Sequence, residues 1–74
     1  MTTTPVQERI LARMRRLSDQ GRRPELTAND AAYAVGMPRD EVVRIMEHMV
    51  RHGLLRSSHD RSRKDIAIYR PADV

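Results

Sequence analysis

Near the start of the chain, Val6, Ile10, Met14 and Leu17 recur at spacings of four, four and three. That period lays an apolar stripe along one face of an α-helix and predicts a helix over residues 5–20. Thr4, Pro5 and Gln7 supply an N-cap, a proline at the first helical position and the third-position Gln of a capping box. Gly21 supplies the stop. Ala31, Ala32 and Val35 predict a second, short helix over 28–35, with Thr27 as N-cap, Asp30 near its positive end and Gly36 as its stop. Its alanines, Ala34 included, allow another helix to approach closely. A third stripe, Val42, Met46, Met49 and Val50 with Ile45 at its margin, predicts a helix over 38–52. Asp40 and Glu41 fall in its first turn and His48, Arg51 and His52 in its last, which suits the helix dipole. The short turn at residues 36–38 makes the second and third helices a helix-turn-helix.

After Gly53 the period changes. Leu54 and Leu55 open a strand, "RSSHDRSRKD" is polar and turn-rich, and "IAIYR" reads as a second strand. Its alternation assigns Ile66 and Ile68 to one face and Tyr69 to the other, as half-buried packing. The two strands predict a β-hairpin over residues 54–70, ended by Pro71. "ELT", residues 25–27, is a candidate short strand. The expected fold class is α+β, mostly α, with three helices and a C-terminal hairpin in one domain over residues 1–74. A domain of this size has a small core and modest stability.

The segment "LTANDAAYAVGMPRDEVVRIMEHMVRHGLL", residues 26–55, resembles the winged helix-turn-helix family, and bacterial winged-helix repressors in particular. In those proteins a Leu-Thr pair precedes the second helix, a Gly-apolar turn precedes the third, and a Gly-Leu-apolar exit leads into the wing. With the first helix and the hairpin, the resemblance covers nearly the whole chain. It implies a DNA-binding fold whose third helix enters the major groove, although some winged helices bind only protein. The chain departs from the Z-DNA-binding winged domains, whose wing carries a Trp absent here.

Charge sharpens this picture. Lys plus Arg number 14 against 10 Asp plus Glu, for a net charge of +4, and all but one of the cations are Arg. Arg grips phosphate as a bidentate fork, so the excess points to an acidic partner, with nucleic acid the commonest; a GC-rich genome would also enrich Arg. Tyr33 and Tyr69 are the only aromatics apart from His, too few for the stacking platforms of single-strand or RNA-recognition proteins. With no cysteine there is no disulfide framework and no thiolate zinc site. No apolar run has the length of a membrane span or a secretory leader, which predicts a cytoplasmic protein, nucleoid-associated if it binds DNA.

The outward side of the third helix carries Arg39, Asp40, Val43, Arg44, Glu47, His48 and Arg51. In the major groove, Arg39 and Arg44 suit guanine O6 and N7, Val43 a thymine methyl, and Asp40 or Glu41 cytosine N4. A solvated face with its acids placed for the dipole accounts for the same residues, since three Arg there meet three acids. The stronger cationic signal lies in the wing, where Arg56, Arg61, Arg63, Lys64 and Arg70 meet only Asp60 and Asp65. Such a segment suits phosphates or the minor groove. Thr27 and Tyr33 are candidates for phosphate contact; Tyr33 equally suits a dimer contact. Arg9, Arg13 and Arg16 form a stripe on the first helix, read as a solvated face or as a dock for an acidic protein or adjacent DNA.

His48 and His52 have the i, i+4 spacing of zinc ligands, but no Cys assists them and the helix dipole explains both, so no metal is expected. Neither a nucleophile–base pair nor a glycine-rich phosphate loop is present, so neither enzyme activity nor a cofactor is expected. The expected function is sequence-selective binding of double-stranded DNA, with transcriptional regulation behind it. The alternative is a winged-helix protein-interaction module that meets an acidic partner through its Arg surfaces. With little chain flanking the first helix and the wing, a monomer or weak homodimer is expected.

Overall fold

The computed structural model describes residues 3–59 and 66–72. In chain order the elements are α1 (Pro5–Asp19), β1 (Leu26–Thr27), α2 (Ala28–Val35), α3 (Arg39–Arg51), β2 (Leu55–His59) and β3 (Ala67–Pro71). The helices form because their caps and stripes agree. At the start of α1, Thr4 Oγ1 accepts from the Gln7 backbone N–H at 3.3 Å, and Gln7 Oε1 accepts from the Thr4 N–H at 3.2 Å. Two of the four orphan N–H groups of a helix start are thereby satisfied or shielded. The same reciprocal box opens α2, between Thr27 and Asp30.

Gly36 ends α2 in the left-handed region, at φ 69°. Its N–H and that of Met37 both reach the Ala32 carbonyl, at 2.9 and 3.2 Å. A side chain at position 36 would strain this backbone, which is why glycine sits at the hinge of the helix-turn-helix. Pro38 is extended, at ψ 143°, and stands at the N-cap of α3 without a side-chain cap bond. The third helix therefore begins one residue later than its stripe suggests.

All three helices close on one core. Ile10 and Met14 of α1, Ala31 of α2, and Val42, Met46 and Met49 of α3 are fully buried, joined by Leu26 and Leu55 from the strands. Ala28, outside the expected stripe of α2, is buried too. The sheet is antiparallel in the order β1-β3-β2. The short "ELT" strand thus joins the hairpin as a third member, and the sheet holds the wing against α2.

The phase of β3 is opposite to that read from its alternation. Tyr69 is only 2% exposed and belongs to the core, whereas Ile66 and Ile68 are partly exposed. Cross-strand register is the cause. Tyr69 pairs with Leu26 and Pro71 with Leu55, both buried, so these positions turn inward; Ile68 pairs with Thr27 and Ser58 on the outer face.

Candidate nucleic-acid interface

On the outer surface of α3, Arg39, Val43 and Glu47 follow one another at intervals of one helical turn. They form one wall of an open cleft bounded by Thr27, Asn29 and Asp30 at the start of α2 and by Ile66, Ala67 and Tyr69 of the wing. The cleft brings together three of the residues singled out by sequence: Arg39, Val43 and Thr27. Arg39 is exposed and Val43 half-buried. Asp40 and Arg44 are exposed on α3 but do not line the cleft. Thr27 Oγ1 accepts from the Asp30 N–H at 3.2 Å, so its oxygen serves the cap while its hydroxyl proton can still be donated.

Tyr69 joins the wing to the cleft. Its hydroxyl donates to Glu47 Oε1 at 2.9 Å. Burial pushes the phenol up to about 12, and the hydrogen bond and negative charge of Glu47 push the same way, with the Arg39 charge opposing them. A buried tyrosine needs a partner for its polar tip, and Glu47 is the one the fold provides. Sequence reasoning placed Glu47 on the outward side of the third helix and Tyr69 as half-buried packing in the wing and did not connect them; 22 positions apart, on a helix and a strand, they leave no local signal.

Tyr33 lies elsewhere. It is 92% exposed and lines a second cleft, with Arg13 and Arg16 of α1, Arg22, Glu25 and Asp30. Asp30 borders both clefts. Arg56 on β2 stands directly opposite Arg70 on β3, both exposed, and an Arg70 Nη2–H donates to Ser58 Oγ at 3.4 Å. Like charges in such a cross-strand pair destabilise a sheet by a few tenths of a kcal/mol or about 1 kcal/mol, a cost that a bound anion removes. Arg61, Arg63 and Lys64 lie outside the described residues.

On the opposite flank of α3, the His48 and His52 rings pack with centroids 4.2 Å apart. Among the described residues no group of three or more side chains is arranged to hold a metal ion. No helix among them is long and apolar enough to cross a membrane.

Three helices, a tight turn between α2 and α3, and a sheet whose hairpin flanks the outer face of α3 make up a winged helix-turn-helix fold. No protein-family model matches the chain, and no curated protein matches it. Among solved structures it is similar to the crystal structure of the PcaV transcriptional regulator from Streptomyces coelicolor in complex with its natural ligand. The two agree with a TM-score of 0.70 at 24% sequence identity, over 97% of this chain and 46% of that one. The chain thus spans about half the length of that regulator.

Proposed function

We propose that the protein binds double-stranded DNA sequence-selectively and regulates transcription, with the first turns of α3 in the major groove and the wing on the flanking backbone. The observation that carries this reading is the cleft in which Arg39 and Val43 of α3 face Thr27, the cap of α2, beside the wing. The likeness in fold to a transcriptional regulator supports it. Arg39 and Arg44 each present a guanidinium fork to guanine O6 and N7; Val43 packs on a thymine methyl; Asp40 accepts from cytosine N4. Thr27 donates its hydroxyl to a phosphate, and Tyr33 reaches the backbone on the far side of Asp30. Arg56, Arg61, Arg63 and Lys64 take phosphates or the minor groove. Paired half-sites would bring two copies together as a weak homodimer. The protein then acts in the cytoplasm, at the nucleoid.

The test begins with enrichment of bound duplexes from a random library. Arg39→Ala and Arg44→Ala are each expected to lose about 1–3 kcal/mol of discrimination at one base pair of the selected site. If both variants keep the wild-type preference, α3 is not the reader. If no duplex is retained and an acidic protein is, the Arg surfaces serve protein recognition instead.

A further inference from the structure

The reading face of α3 is unusual in holding a fixed negative charge. Glu47 follows Arg39 and Val43 on the same wall of the cleft, and its Oε1 is bonded by the hydroxyl of Tyr69, itself only 2% exposed. Most surface glutamates swing freely and relax away from an approaching phosphate. This one is tied to a phenol locked in the core. A carboxylate accepts about four hydrogen bonds, so the bond from Tyr69 leaves acceptor capacity for a donor that enters the cleft.

We propose that Glu47 is a specificity-determining residue of the DNA interface and that Tyr69 is its positioning residue: the anchored carboxylate accepts from a base amino group, cytosine N4 first and adenine N6 second. This rests on the DNA-binding function proposed above. A fixed carboxylate repels phosphate on every duplex, and brought into the groove it loses water. Only a base edge that offers an N–H donor compensates for both losses. Thymine O4 and guanine O6 offer acceptors only, so sequences presenting them at this position are rejected. The carboxylate therefore lowers affinity for random DNA and widens the gap between a cognate site and the rest, which is discrimination by repulsion as well as attraction. Arg39 lines the same cleft as Glu47 and Tyr69, so a guanidinium and the anchored carboxylate face one entering edge.

The experiment compares wild type, Glu47→Gln and Tyr69→Phe on the library-selected duplex and on a scrambled duplex, with thermal unfolding of each protein alongside. Gln keeps the shape and can still accept from Tyr69, so the fold survives. Glu47→Gln is expected to bind the scrambled duplex several-fold more tightly and to narrow the cognate-to-scrambled ratio by about tenfold. Tyr69→Phe keeps the charge but frees it, so the ratio narrows while affinity for the scrambled duplex stays near wild type. A purely structural role for the pair would lower the unfolding temperature and leave both ratios unchanged, and that result overturns the proposal. Wild type that binds all duplexes equally overturns it too, while leaving DNA binding intact. Wild type that binds no duplex removes the proposed function, and Glu47 as a reader with it.

Discussion

Tyr69 illustrates how one residue couples stability to the site. Its folded-state value of about 12 lies above the ordinary 10.0 of a phenol, because burial and Glu47 both disfavour the phenolate. The neutral form thus stabilises the fold fully below pH 10, and this contribution is withdrawn as pH rises towards 12. Two pH units correspond to at most roughly 2–3 kcal/mol, less where water screens the hydroxyl beside the exposed Glu47. Wild type is expected to lose up to about 2 kcal/mol between pH 10 and 12 in urea unfolding, whereas Tyr69→Phe, less stable at neutral pH, shows a flatter alkaline limb. An equally steep limb in both proteins would remove Tyr69 as its cause. The inward turn of this residue was hidden from the sequence because "IAIYR" is apolar at both phases: Ile66 and Ile68 on one face, Ala67 and Tyr69 on the other. Only pairing with the buried Leu26 and Leu55 decides between them, and that pairing is long-range.

At the scale of elements, the local signals were the legible ones. Thr4 with Gln7, and Thr27 with Asp30, lie three positions apart, and each pair closes a capping box. The stripes Ile10–Met14–Leu17 and Val42–Met46–Met49 went to the core because helical period leaves them one face to share. The cleft was not legible, since it exists only where the start of α2, one face of α3 and the wing strand meet. Thr27 stands at that meeting point with two duties. As the cap of α2, it contributes about 1 kcal/mol, which Thr27→Ala is expected to lose in urea unfolding and Thr27→Ser to retain. If its hydroxyl also donates to a phosphate, Thr27→Ala weakens binding to cognate and scrambled duplexes alike, and Thr27→Ser restores it. Equal stability of wild type and Thr27→Ala would show that the box contributes little to α2.

At the scale of the whole molecule, charge is distributed unevenly between helix and wing. Arg39, Arg44 and Arg51 on α3 are matched by Asp40, Glu41 and Glu47, and one of those acids is held in place. The segment from Arg56 to Arg70 carries five cations against two acids, and at its base Arg56 and Arg70 stand opposed. Under the proposed function, α3 then supplies discrimination and the wing supplies most of the phosphate attraction. Each phosphate contact adds a slope of about −0.9 to log K against log salt. Replacing Arg61, Arg63 and Lys64 with Ala is expected to flatten that slope by up to about 3 units, less where a side chain faces water. Affinity should fall on every duplex, with the preferred sequence unchanged, because phosphates carry no base identity. The three fall between β2 and β3 in sequence, and none belongs to the apolar stripes that build the core, so the unfolding temperature should barely move. A salt titration of wild type and triple variant on one selected and one scrambled duplex measures all of this. An unchanged slope would place the wing off the DNA and leave an acidic protein as the better partner for its arginines.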